Sequence, residues 1–116
     1  MENKKLDNEI LSTKSQIDRI DNQIDDEKIR IKKIDSMQED IISLSKSINQ
    51  CIDLLSQSIK DPHAENKYND MRNSNKKAYS NIASFLDNEV ELSRKKINKL
   101  YDEKETILKE KKNKEE

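Results

Sequence analysis

The residues that could carry chemistry are few, and they do not form a constellation. Cys51 is the only cysteine and His63 the only histidine, so a metal site or a histidine-assisted nucleophile would lack its other members. Cys51 lies among apolar helical positions and is expected to be a small core residue, whereas His63 follows the single proline and is expected to be an exposed turn residue. The sequence therefore predicts no enzyme, no metal and no cofactor.

The composition also argues against nucleotide, nucleic-acid and membrane functions. Glycine is absent, although loops that cradle phosphates need its positive φ or close backbone approach. The 23 basic and 24 acidic residues are mixed along the chain, so no basic stripe is available for nucleic acid. No apolar run approaches the roughly 18 residues that span a bilayer, and the N-terminus has no apolar signal-peptide region. We expect a cytoplasmic protein without a cleavable signal peptide.

Apolar residues recur every seven positions in the first half of the chain. Two interleaved series cover residues 6–59 without proline or glycine, and this spacing predicts one long amphipathic helix over about residues 4–60. The two series are Leu6, Thr13, Ile20, Glu27, Ile34, Ile41, Ile48 and Leu55, and Ile10, Ile17, Ile24, Ile31, Gln38, Ser45, Ile52 and Ile59.

Asp61 and Pro62 predict a turn over residues 61–64, because Asp caps a helix and Pro fits only its first turn. The polar stretch 65–77, which contains Asn73-Ser74-Asn75, is a candidate irregular segment. Heptads resume with Tyr79, Ala83, Leu86, Val90, Ser93, Ile97, Leu100, Lys104 and Ile107, and predict a second helix over about residues 78–112. The predicted fold is all-α: one domain over residues 1–116, a long antiparallel two-helix hairpin with Ile41 opposite Ala83 and Ile20 opposite Lys104 to Ile107.

The apolar stripe widens between about residues 37 and 92. A two-helix hairpin buries one narrow stripe per helix, so the additional apolar residues indicate a second packing surface, completed by helices of a partner. The candidate partner-binding residues are Met37, Leu44, Cys51, Ile82, Phe85 and Leu92.

The length and the predicted hairpin resemble the LXG-associated α-helical targeting partners of type VII secretion in Gram-positive bacteria. The resemblance implies pairing with the helical N-terminal domain of a secreted toxin, with a second small helical protein as a further partner. Substrates of this pathway carry Y-x-x-x-[DE] near a helix end, which Tyr101-Asp-Glu-Lys-Glu105 matches, and Phe85-Leu-Asp-Asn-Glu89 resembles the variant that begins with Phe. Tyr101 and Glu105 are thus the candidate export motif, and export of the protein with its partner is the implied route.

Two functions remain open at this point. The first is a targeting partner or export chaperone that binds a larger effector. The alternative is a cytoplasmic coiled-coil scaffold or tether that associates with itself. A holdase chaperone with hairpin tentacles is a third interpretation of the same pattern.

Overall fold

The computed structural model describes the backbone of residues 2–115 and the side chains of residues 4–113, and this part of the chain is two α-helices without a strand. Helix α1 spans Glu2–Ser58 and helix α2 spans Pro62–Glu115. The all-α prediction is confirmed. Packing groups the chain into two compact units: unit 1 contains residues 1–32 and 91–116, and unit 2 contains residues 33–90.

Both units contain antiparallel segments of α1 and α2, as the hairpin prediction requires. In unit 1, Asp21 pairs with Lys104 and Glu27 with Lys96. Residue numbers on α2 therefore fall as residue numbers on α1 rise, as in an antiparallel pair. In unit 2, Gln38 donates a hydrogen bond to Asp87 and Arg72 pairs with Asp53, which gives the same order. Ile41 and Ala83 line one recess in unit 2, in agreement with their predicted opposition.

Asp61 and Pro62 end one helix and start the next within unit 2. The Asp61 carboxylate accepts a hydrogen bond from the His63 backbone N–H at 3.0 Å, and the Asp61 carbonyl accepts one from the Ala64 N–H at 2.9 Å. Asp61 therefore caps α2, and proline occupies the first turn where its missing N–H costs nothing. The Tyr68 hydroxyl donates to the Ile59 carbonyl at 3.4 Å and ties α2 to the end of α1.

The prediction that residues 65–77 are irregular is wrong, because α2 is continuous from Pro62. Asparagine weakens helices when its side chain competes for nearby backbone groups. The Asn75 amide instead donates across the hairpin to the Ser45 carbonyl at 3.0 Å and to the Asn49 side-chain oxygen at 2.9 Å. Since Asn75 bonds to the opposite helix, its side chain supports the helix that it was expected to break.

The inward side chains of unit 1 follow the predicted seven-residue spacing. Ile20 and Ile24 are buried on α1, and Ser93 is the most deeply buried residue on α2. The buried and half-buried positions of unit 1 at this spacing are Thr13, Ile17, Ile20, Ile24, Glu27 and Ile31 on α1, and Ser93, Ile97, Leu100, Lys104, Ile107 and Lys111 on α2. Unit 1 is therefore a heptad seam of the kind found in coiled coils.

In unit 2 the inward side chains follow an eleven-residue spacing instead. The set on α2 is Ala64, Tyr68, Arg72, Asn75, Tyr79, Ala83 and Leu86, and the set on α1 is Ile34, Gln38, Ile41, Ser45, Ile52 and Ser56. Eleven residues in three turns give about 3.67 residues per turn, against 3.5 for a heptad. Ile52, Tyr79, Ala83 and Leu86 fit both spacings. The inward residues that fit the eleven-residue spacing alone are Ser56 on α1 and Ala64, Tyr68 and Asn75 on α2.

Five predicted seam residues are exposed, and their assignment to the core is wrong: Leu6, Ile10, Ile48, Leu55 and Ile59. In unit 2 the eleven-residue spacing turns Asn49 and Ser56 toward α2 in place of Ile48 and Leu55. Leu6 and Ile10 lie near the start of α1, in unit 1.

Two charged residues occupy seam positions of unit 1 in different ways. Lys104 donates to Asp21 Oδ1 at 2.8 Å, and this hydrogen bond, with the negative charge of Asp21, raises the pKa of Lys104. Because folding raises the pKa of Lys104, the pair stabilises the fold at pH values below the ordinary lysine pKa. This contribution to stability is lost as the pH rises through the raised pKa. Glu27 has only Lys96 at 3.8 Å from Oε1, and its buried Oε2 has no hydrogen-bond partner.

The eleven-residue seam predicts unequal losses of stability for two neighbouring apolar residues. Ile52 is 4% exposed and Leu55 is 44% exposed. Ile52→Ala should lower the free energy of unfolding by about 2–4 kcal/mol, because it opens a cavity in the seam, whereas Leu55→Ala should cost under about 1 kcal/mol. Urea unfolding followed by circular dichroism measures both. Equal losses would restore the heptad seam and contradict the structure.

Glu27 should limit the stability of unit 1. Glu27→Leu replaces a carboxylate that has one unsatisfied buried oxygen with an apolar side chain at a seam position, and it should raise the free energy of unfolding by about 1 kcal/mol. The matched control is Asp26→Leu at the adjacent exposed position, which should change stability little. A loss of stability in Glu27→Leu on thermal unfolding would show that the Lys96 pair outweighs the unsatisfied oxygen.

Candidate helix-docking surface

An apolar stripe runs along α1 in unit 2, beside the seam with α2. Helical spacing of about 100° per residue places this stripe roughly 80° from the direction that faces α2. Leu44 is 60% exposed on it, and neighbouring residues are between about two fifths and half exposed. The stripe consists of Met37, Leu44, Ile48, Cys51 and Leu55.

A second apolar stripe runs along α2 in unit 2, also about 80° from its seam and with the same sense of rotation. Phe85 is its largest member and is 61% exposed. Because α1 and α2 are antiparallel, offsets of the same sense turn both stripes to the same side of unit 2. The residues of this stripe are Met71, Ala78, Ile82 and Phe85. We call the two stripes together the apolar face.

The opposite side of unit 2 carries polar contacts between the two helices, with exposed Ile42 beside them in the same recess. The Arg72 guanidinium donates from Nε and Nη2 to Asp53 Oδ1 at 3.2 and 3.0 Å. The Gln38 amide donates to Asp87 at 2.8 Å. These exposed contacts add little stability, and they lie on the side of unit 2 away from the apolar face. None of these polar contacts involves a residue of the apolar face.

Five of the six predicted partner-binding residues lie on the apolar face. Met37, Leu44, Ile82 and Phe85 are exposed there. Cys51 is exposed as well, so the expectation that it packs in the core is wrong. The eleven-residue seam explains this, because it directs Asn49 and Ile52 toward α2 and leaves Cys51 about a quarter-turn or more outside. Leu92, the sixth, is exposed and belongs to unit 1.

Ile48, Leu55 and Met71 also belong to the apolar face. The heptad spacing predicts Ile48 and Leu55 in the seam, and Met71 falls in the segment predicted to be irregular. A signal was present, since Met37, Leu44 and Cys51 are seven residues apart, as are Ile41, Ile48 and Leu55. A second heptad stripe beside the first is typical of a helix that packs against two neighbours.

Tyr101 and Glu105 lie on the surface of unit 1, one helical turn apart on α2. The Tyr101 ring is 45% exposed and has the Lys28 ammonium 5.9 Å from its centroid, within cation–π range. Glu105 is paired only with Lys109, at 3.5 Å on the same helix. Neither residue belongs to the seam, so both are accessible to a receptor that reads a ring and a carboxylate on one helical face.

His63 is exposed in the first turn of α2, where its backbone N–H rather than its imidazole bonds to Asp61. Among the described residues, no three His, Cys, Asp or Glu side chains lie close enough together to hold a metal ion. Neither described helix has a stretch long and apolar enough to cross a membrane.

Comparisons with known proteins add no relative. No family model, no curated protein and no solved structure matches this chain. The chemistry of the apolar face and of the Tyr101–Glu105 turn is therefore the basis for a functional argument.

Proposed function

We propose that this chain is a non-enzymatic helical interaction protein, a targeting partner or export chaperone that binds the helical N-terminal domain of a type VII secreted toxin of the LXG class. The observation that carries the proposal is the apolar face of unit 2. Contiguous exposed apolar surface on a protein outside the membrane marks an interaction site. An amphipathic helix that lays its own apolar stripe on this face would bury both.

The accessible Tyr101–Glu105 turn supports the export part of the proposal. In such a complex the chain would cover the effector's helices and leave Tyr101 and Glu105 of unit 1 accessible to the type VII secretion machine. The machine would then export the complex. The chain would leave the cytoplasm together with its partner.

Self-association as a scaffold is the second candidate, and one observation favours it. The apolar face has no charged member, so two copies could meet on it without like-charge repulsion. Light scattering at micromolar concentration distinguishes the two, because a scaffold forms a stable dimer alone and a targeting partner forms its stable complex with the effector domain.

Charge placed on the apolar face should weaken partner binding strongly. Phe85→Asp or Leu44→Asp would bury a carboxylate in the interface and should weaken binding by at least about 2 kcal/mol, or roughly 30-fold in Kd. Both residues are outside the seam, so helix content and melting should stay nearly unchanged. The matched control is Leu11→Asp, which is 63% exposed in unit 1. Calorimetric titration with the LXG domain of a coexpressed toxin measures the effect, and undiminished binding by both variants refutes this surface as the site.

The export motif should be separable from binding. Tyr101→Ala with Glu105→Ala removes the ring and carboxylate without touching the seam, so the complex should still copurify while secretion of the toxin from cells stops. Secretion is measured by immunoblotting of culture medium, with Lys109→Ala as the control that removes only the partner of Glu105. Normal secretion by the double variant eliminates the motif, and loss of the complex assigns Tyr101 to packing.

A further inference from the structure

We infer that the apolar face is shaped for a pair of antiparallel helices from one partner, one lying on α1 and the other on α2, within the length of unit 2. That the partner is another chain rests on the proposed function. The number of helices, their placement and the chemistry of their facing sides go beyond it and come from unit 2 itself.

The angle between the seam and each stripe determines the number of helices. A single helix in the groove between α1 and α2 would form a three-helix arrangement, in which the directions to two neighbours differ by about 60°. In a four-helix arrangement they differ by about 90°. At about 100° per residue, the α1 stripe averages about 80° from the seam, from about 50° at Ile48 to about 110° at Cys51, and the α2 stripe averages about 80°, from about 50° at Ile82 to about 110° at Phe85. Each stripe therefore faces its own helix.

The extent of the stripes sets the length of those helices. The α1 stripe runs from Met37 to Leu55, about 27 Å at ~1.5 Å per residue, and the α2 stripe runs from Met71 to Phe85, about 21 Å. Arg72 pairs with Asp53 and Gln38 with Asp87 across the hairpin, so the two stripes lie at the same level. Two adjacent helices of about 15–20 residues each would cover both.

The charge pattern specifies the chemistry of the partner's facing sides. The α1 segment 37–55 contains Glu39, Asp40, Lys46 and Asp53 as charged residues, and the α2 segment 71–85 contains Arg72, Lys76 and Lys77. Helical spacing turns all of these away from the stripes except Asp40, which borders the α1 stripe near its Met37 end. The borders of the stripes otherwise contain small or amide residues, namely Ser43, Ser47, Ser74 and Asn81. A matching partner has apolar heptad stripes flanked by small uncharged residues, since a facing charge would be buried without an opposite charge.

Site-specific photocross-linking in the full-length protein tests this arrangement. A benzoylphenylalanine in place of Leu44 probes the α1 side of the apolar face, and one in place of Phe85 probes the α2 side. Leu11 in unit 1, as exposed as either, is the matched control. Expression in the source cells, followed by mass spectrometry of cross-linked peptides, identifies which helix each position touches.

We expect Leu44 and Phe85 positions to cross-link to one protein but to two of its helices, separated by a turn, and Leu11 to cross-link to neither. Moving the probe from Leu44 to Cys51 should shift the partner site by about two helical turns. Cross-links from both positions to one helix, to a second copy of this chain, or to nothing would overturn the inference, as would equal cross-linking from Leu11. Cross-links to two helices of a protein that is not secreted would support it while refuting the export proposal.

Discussion

The spacing of inward side chains is the constraint on which the rest of the structure depends. In unit 1 the seam repeats every seven residues, and in unit 2 every eleven. A helix whose apolar residues keep a seven-residue repeat while its seam follows eleven must turn some of them away from the seam. Ile48 and Leu55 are the residues so displaced, and with Leu44 and Cys51 they form an exposed stripe. The apolar face is thus a consequence of how α1 and α2 meet.

Polar residues in the seam help to determine how α1 and α2 pack in unit 2. Asn75 bonds to Ser45 and Asn49 on the opposite helix, and these contacts place α2 against the Asn49 side of α1 rather than the Ile48 side. In a purely apolar seam, bulky Ile48 would be favoured by burial. In that arrangement the Asn75 amide would be buried without a hydrogen-bond partner, which would cost stability. Hydrogen bonding at Asn75 therefore selects a register that leaves apolar surface exposed.

The fold was largely predictable from sequence because heptads, the absence of glycine and the Asp61-Pro62 pair are local signals. The continuity of α2 through Asn75 was not predictable, since it depends on partners on α1. The exposure of Cys51 was missed for a related reason: assignment to a core used spacing along one helix, whereas exposure depends on which face the other helix covers. The second stripe could be seen in sequence, but the side of the hairpin to which it turns required the seam of unit 2.

Alkylation of the native Cys51 thiol tests the central claim most directly, because the chain's only cysteine lies within the apolar face and needs no substitution. In the purified protein at low micromolar concentration, a maleimide should react with Cys51 at a rate close to that in urea. In the complex with its helical partner, the rate should fall at least tenfold. Slow reaction in the purified protein would show that the face is already covered, and fast reaction in the complex would show that the partner binds elsewhere.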